Sequence, residues 1–144
     1  MRNGRNAMRT KALLILGAVL AAAVTAGYTW KASADFPDKT TAAAGSYLVS
    51  IELLPHQAKV MKPAALSVTI SDQDGRPVEN AAVEAKLFMP NMFCGTIGAA
   101  LEPDDSGVFI GEAIAVMPGT WNADAAITID GQTYTVKHRF EAVR

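Results

Sequence analysis

Cysteine and histidine are scarce in this chain, which has one Cys and two His among its 144 residues. A single Cys excludes an intrachain disulfide, Cys-x-x-Cys-His attachment of a c-type haem and a dinuclear copper site with two Cys ligands. A blue-copper site is also excluded, because no suitable ligands follow Cys94 closely. The sequence lacks a Gly-rich phosphate loop and any nucleophile arrangement of His, acid and Ser. We therefore expect no enzymatic activity.

Positive charge is scarce beyond the N-terminal segment. Residues 35–144 carry all 14 acidic residues but only eight of the 13 Lys and Arg, which gives a net charge of −6. Binding to nucleic acid needs a basic face that neutralises phosphates. This charge balance therefore argues against a nucleic-acid partner.

Residues 1–34 differ in character from the rest of the chain. They combine a basic head without any acid, an apolar run from Ala12 to Tyr28 and the small-residue sequence Ala32-Ser33-Ala34. One interpretation is a cleavable signal peptide, which would leave a secreted or periplasmic protein. The other, which we prefer, is an uncleaved N-terminal helix, since Ala12 to Trp30 reaches the roughly 17–25 residues of a membrane span. Both place the folded part in the periplasm or outside the cell, with the basic head in the cytoplasm.

The remaining sequence divides into a linker and one domain. Residues 35–44 are small and polar and are typical of a linker. Residues 45–144 alternate between apolar and polar side chains with period two, and no helical period appears. About seven short strands at regular spacing predict an all-β fold, an antiparallel sandwich of immunoglobulin-like type. Its expected large core residues are Tyr47, Phe109, Trp121 and Phe140.

The turn residues support this division into strands. Asp72-Gln73-Asp74-Gly75 and residues 103–107 are turn sequences, and Met117-Pro118-Gly119 predicts a corner. Asp130-Gly131 is the strongest hairpin signal in the chain.

The loop Met-Pro-Asn-Met-Phe-Cys concentrates soft side chains, with Met89, Met92 and Cys94 in six residues. In a seven-strand antiparallel sandwich, the first, third and fifth connections lie at the same end. That rule places Met117 near this loop and directs His138 toward the same end. Thioether, thiolate and imidazole groups together suit copper(I). The predicted metal ligands are Met89, Met92, Cys94, Met117 and His138.

Each of these residues also has a packing interpretation. Met89, Met92 and Met117 can fill the end of the core, because Met adapts to irregular gaps. Cys94 can be a small buried hydrophobic residue, and His138 can be a hydrogen-bonded core histidine. His56 fits a solvated loop. Their predicted gathering at one end of the sandwich favours the metal site, because packing alone would not concentrate these residue types at the same end.

Two stretches resemble a known family. They are Asp74-Gly75-Arg76-Pro77-Val78 with Ala81, and the set Met89-Pro90-Asn91-Met92, Gly107-Val108-Phe109, Gly111 and Met117-Pro118-Gly119-Thr120-Trp121. These resemble the YtkA-like and FixH-like extracytoplasmic domains over about residues 45–141. The resemblance implies a membrane-tethered bacterial β-sandwich associated with copper handling and with the assembly of respiratory oxidases. One position differs from the family pattern, because Cys94 stands where a His is common.

These observations lead to one expected function and two alternatives. The first is a membrane-tethered, extracytoplasmic domain that binds or delivers copper and meets a respiratory oxidase or metal-transport complex. The second is a metal-free interaction domain that docks on a membrane complex through the Met-Pro-Asn-Met-Phe-Cys loop. A third is an accessory subunit that positions a catalytic partner.

Overall fold

The computed structural model describes residues 36–93 and 95–144, and in these residues the fold is all-β without any helix. The predicted N-terminal membrane or signal helix and Cys94 lie outside the described residues. Within the described part, no helix is long and apolar enough to cross a membrane. Residues Phe36–Arg144 form one compact unit.

Nine strands make up this unit. They are β1 Lys39–Ala44, β2 Tyr47–Leu54, β3 Gln57–Lys59, β4 Pro63–Ser71, β5 Ala82–Phe88, β6 Ile97–Pro103, β7 Val108–Ile114, β8 Gly119–Ile129 and β9 Gln132–Val143.

The strands follow the hydrogen-bonded order β1-β2-β4-β7-β6-β5-β8-β9-β3. All pairs are antiparallel except β3 with β9. Strand β6 pairs with β5 and, through Glu102 and Pro103, with β7, so it joins two halves of the ladder. Strands β1 and β2 contact β9 without forming a ladder with it. The two halves therefore face each other as the layers of a sandwich.

The alternating apolar residues predicted for the core are buried between these layers. In β2 and β4, for example, Val49, Ile51, Leu66 and Val68 are completely buried. The largest buried side chains include Trp121, Phe109 and Phe140, as the alternation predicted.

Tyr47 differs from the other predicted core residues, because it is only partly buried. Its hydroxyl donates a hydrogen bond to Asp130 Oδ2 at 3.1 Å. This polar contact holds the ring at the margin of the core, where its oxygen can reach the β8–β9 turn.

The structure differs from the sequence-based prediction in having nine strands rather than about seven. Lys39–Ala44, assigned to the linker, form β1 and pair with β2 from Lys39↔Glu52 to Ala44↔Tyr47. The additional strand β3 lies inside the predicted first connection and pairs with the end of β9. Both segments are held by pairing with a neighbour, and neither carries a run of large apolar residues that periodicity could detect. The folded domain thus begins several residues earlier than predicted.

Strand register separates the connections into two ends. Pro63 pairs with Ile114 and Gly119 with Ala142, so residues 55–56, 60–62, 89–96 and 115–118 lie at one end. We call this end the Met pole. Thr69 pairs with Val108 and Ile129 with Gln132, which places residues 45–46, 72–81, 104–107 and 130–131 at the opposite end, the Asp pole. The predicted gathering of the first, third and fifth connections at one end is therefore confirmed.

Residues 36–144 should fold without the N-terminal segment, because the buried core lies wholly within them. We expect a β-type circular dichroism spectrum and one cooperative unfolding transition in urea. Leu66→Ala should lower the unfolding free energy by about 2–5 kcal/mol, since Leu66 is completely buried. Leu48→Ala is the matched control at a half-exposed position and should change it by less than about 0.5 kcal/mol. A helical or disordered spectrum of this fragment would contradict the fold.

Candidate functional site

The Met-rich loop between β5 and β6 is anchored by Met89. Its side chain is buried, with 8% exposed, and its methyl group lies 2.9 Å from where a Cβ at residue 119 would stand. Gly119 has φ of 129°, a conformation that favours glycine, so the corner leaves room for the Met89 methyl. This contact brings the Met-rich loop and the β7–β8 corner together.

The β7–β8 corner is closed by Trp121. Its indole Nε1 donates a hydrogen bond of 2.9 Å to the carbonyl of Met117, and its ring is almost completely buried. Met117 is itself partly buried against the core. The structure therefore brings Met89 to the corner that contains Met117 and Gly119.

The outer part of the same loop is exposed. The amide of Met92 donates to the Met89 carbonyl at 3.2 Å, which forms a turn. Met92 is 47% exposed and Phe93 is fully exposed. Cys94 follows directly but lies outside the described residues. One loop thus combines a buried thioether with an accessible one.

His138 lies within strand β9 and not in a connection at the Met pole. It occupies β9 opposite Ala123, four residues before Ala142 at the Met pole, which is about 13 Å along the strand. Its Nδ1 shares a 2.9 Å hydrogen bond with Thr40 Oγ1 of β1, and its ring stacks on Phe140 with centroids 6.4 Å apart. The structure therefore places it as a hydrogen-bonded histidine of the core. Burial, and secondarily the neighbouring His56, lower the pKa of His138 from its ordinary value.

His56 and Met61, which lie between β2 and β4 and are not among the predicted ligands, are accessible. His56 Nδ1 lies 3.8 Å from a carboxylate oxygen of Asp38. Met61 is 66% exposed and has a φ of 60°, which is uncommon outside glycine. Its amide donates to the Ala115 carbonyl at 2.8 Å, so this turn is fastened to the β7–β8 connection. Periodicity gives no signal for such a contact.

The acidic residues of the Asp pole are engaged in turns. Asp72 Oδ1 accepts hydrogen bonds from the amides of Asp74 and Arg76, and Asp104 Oδ1 accepts from the amides of Ser106 and Val108. The amide of Arg76 is the main cause that lowers the pKa of Asp72. The Ser106 hydroxyl, which donates to Asp104 Oδ1 at 2.7 Å, is the main cause that lowers the pKa of Asp104, and the two amides add to it. Across residues 36–93 and 95–144, no three His, Asp or Glu side chains converge as a metal-binding group.

A cleft that the sequence did not predict lies between the start of the described chain and strands β8 and β9. It has a volume of about 320 Å³ and is lined by Phe36, Pro37, Thr40, Asn122, Lys137 and Arg139. The Arg139 guanidinium carbon lies 5.9 Å from the centroid of the Phe36 ring, and its Nε donates to Asn122 Oδ1 at 3.2 Å. The first described residue is therefore held against β9.

The lowered pKa of His138 predicts a pH-dependent stability. Because the folded state binds the proton less readily than the unfolded state, the contribution of neutral His138 is complete above the unfolded pKa of about 6.5 and is lost as the pH falls below it. Between about pH 7.5 and pH 5.5, the unfolding free energy of the wild type should fall more steeply than that of His138→Gln. The difference in slope can reach about 1.4 kcal/mol per pH unit. If the unfolding free energies of the wild type and His138→Gln, measured in urea, change with pH in parallel, the pKa of His138 is the same in the folded and unfolded states.

The sequence matches the YtkA-like family over residues 41–126, which is more than half of the chain. A comparison with curated proteins found no match. Among solved structures, the chain is similar to the crystal structure of the Lin-41 filamin domain, with a TM-score of 0.48, 13% sequence identity, and coverage of 74% of this chain and 93% of that chain. By the family match, this chain belongs to the YtkA-like family.

Proposed function

We propose that this protein is a membrane-tethered, extracytoplasmic domain that binds or delivers copper(I) at the Met pole. The observation that carries the proposal is the contact of Met89 with Gly119, which joins the Met-rich loop to the corner that holds Met117. Both segments lie within the residues matched by the family.

The proposed ligands are sulfur atoms. Met92 offers an accessible thioether, and Cys94 two residues later offers a thiolate. Met89 and Met117 lie at the corner beneath the loop and supply further thioethers. Soft thiolate and thioether ligands select copper(I), and no carboxylate residue lies in residues 88–97 to attract a harder cation. The donor set therefore fits the metal.

His138 is left out of this ligand set, although its residue type suits copper. Its Nδ1 is engaged with Thr40 Oγ1 at 2.9 Å, and it lies within β9 and not in a connection of the Met pole. Joining the metal would require that hydrogen bond to break or the ring to turn.

We also propose the finer fold assignment, an immunoglobulin-like sandwich. Support comes from two mainly antiparallel layers that face each other and from the alternating inward residues of β2, β4, β8 and β9. In such a fold the connections at one end are suited to binding.

A second candidate function is metal-free docking on a membrane complex through the same loop. The specific observation in its favour is the complete exposure of Phe93 beside the half-exposed Met92. Aromatic and Met side chains form adaptable contacts at interfaces. A respiratory oxidase or a metal-transport complex is the partner we propose under either function.

Copper(I) titration of residues 36–144 in competition with a chromophoric chelator, under reducing conditions, tests the first proposal. Cys94→Ser should weaken binding by more than about tenfold, because it removes the anionic ligand. Met92→Leu and Met89→Leu keep apolar volume and should each lower affinity with little loss of stability. Affinity should rise with pH until the thiol is fully ionised.

Two matched controls sharpen this titration. Met61→Leu changes an exposed Met of the same pole that is not a proposed ligand, and it should leave the affinity unchanged. His138→Gln should also leave it unchanged. If Cys94→Ser and a double Met89→Leu, Met92→Leu variant both bind as the wild type does, the metal site is wrong and docking becomes the better proposal.

The tether has its own test, which is the intact mass of protein extracted from membranes. We expect residues 1–34 to be retained, because Ala12 to Trp30 is long enough to span. A mature protein that begins at Asp35 and stays in the soluble fraction would show that the segment is a cleaved signal peptide.

A further inference from the structure

Exposed apolar side chains are unevenly distributed over the domain. Of the eight large hydrophobic residues exposed in the described part of the chain, six lie at or beside the Met pole: Leu54, Met61, Met92, Phe93, Ile114 and Val116. Contiguous exposed apolar surface marks a site of interaction with protein or membrane. The Met pole is therefore the part of the described surface where an interaction is to be sought.

Two of these side chains are presented by fixed backbone. The turn at Met61 is held by two hydrogen bonds: the Met61 amide donates to the Ala115 carbonyl at 2.8 Å, and the Lys62 amide donates to the Lys59 carbonyl at 3.0 Å. The Met89–Met92 turn holds the start of the loop that carries Phe93. Neither Phe93 nor Met61 is drawn back onto the core, so both project outward from the pole.

Acidic residues are concentrated at the Asp pole, which is the end opposite to the exposed apolar side chains. The Asp-pole connections contain six acidic residues and one Arg: Asp72, Asp74, Glu79, Asp104, Asp105, Asp130 and Arg76. The Met-pole connections contain no Asp or Glu. They carry Lys62, with Lys59 at the end of β3 beside it, and both Lys are exposed. One acid outside these connections, Asp38, lies 3.8 Å from His56 Nδ1.

The chain joins the domain in its Met-pole half. Phe36 lies against Arg139, which is three residues, or about 10 Å, from Ala142, the residue of β9 that pairs with Gly119 at the Met pole. From Arg139 to Gln132 at the Asp pole the strand runs seven residues, or about 23 Å. In a chain that keeps a membrane span up to Lys31, the five residues to Phe36 reach at most about 18 Å. This reach exceeds the roughly 10 Å from Arg139 to the Met pole and falls short of the roughly 23 Å from Arg139 to the Asp pole.

We propose that the Met pole is a lipid-binding surface, in which Phe93 inserts into the interfacial region of the bilayer and Lys59 and Lys62 contact anionic headgroups. Aromatic and apolar side chains flanked by Lys are the composition that binds membrane interfaces. The ionised carboxylates of the Asp pole favour the same orientation, because an anionic surface repels them. The site of the proposed function is thereby held at the bilayer surface, where a membrane-embedded partner can reach it.

Tryptophan substitution in residues 36–144 tests the insertion directly. In Phe93→Trp, vesicles of phosphatidylcholine and phosphatidylglycerol should shift the emission to shorter wavelength, and brominated lipids should quench it. Leu48→Trp is the matched control, since Leu48 is 49% exposed but lies toward the Asp pole. It should show neither change. The native Trp121 is buried and adds only a constant background.

Co-sedimentation with the same vesicles measures the strength of binding. Phe93→Ser should weaken vesicle binding by about tenfold or more, because the variant loses the apolar area that one phenyl group buries in the bilayer. Phosphatidylglycerol should strengthen vesicle binding of the wild type, and added salt should weaken this effect. The double variant Lys59→Gln, Lys62→Gln should lose it. Lys86→Gln, on the outer side of β5, should change nothing.

The outcomes separate this inference from the copper proposal. Phe93→Ser should bind copper(I) as the wild type does, and Cys94→Ser should bind vesicles as the wild type does. If the fragment does not bind vesicles, or if Phe93→Trp and Leu48→Trp respond alike, the lipid surface is wrong and the exposed pole is assigned to a protein partner instead.

Discussion

The register between β8 and β9 is set by a two-residue turn at Asp130 and Gly131, whose φ values are 50° and 79°. Positive φ at both positions matches the twist of the two strands, and the Tyr47 hydroxyl reaches Asp130 from β2. In this register Trp121 pairs with Phe140 and Ala123 with His138, so their side chains point into the core. A slip of one residue would expose every one of them. The hairpin also fixes where Gly119 meets Ala142, and thereby where the Met pole lies.

The loop at the Met pole serves structure and interaction together. Met89 fills the space left by Gly119, which explains why this loop can be fastened at one side while Met92 and Phe93 remain exposed at the other. A packing role and a binding role are therefore compatible within one short segment. The Trp121 hydrogen bond to the Met117 carbonyl holds the corner beneath it, so the support is rigid where the exposed side chains are presented.

Much of the fold could be predicted from particular residues. The alternation Val49, Ile51, Leu53 predicted a half-buried strand because side chains of a strand point to opposite faces with period two. Lys39–Ala44 were missed because their small side chains show no such contrast, and their strand exists only through pairing with β2. The three residues of β3 are likewise held by a partner that is remote in sequence. Pairing between distant segments leaves no local periodic signal.

The sequence by itself determined the β-class of the domain, the faces of its long strands, its turns and its family, since each depends on local residue patterns. It also predicted that the connections carrying Met89, Met92 and Met117 lie at one end, because the number of strands between connections sets their side. Only the tertiary structure decided which of them meet. Met89 reaches the Gly119 corner, whereas His138 bonds to Thr40, a residue 98 positions away on β1. The direction of a side chain depends on its neighbours across the core, and those neighbours are brought together by folding alone.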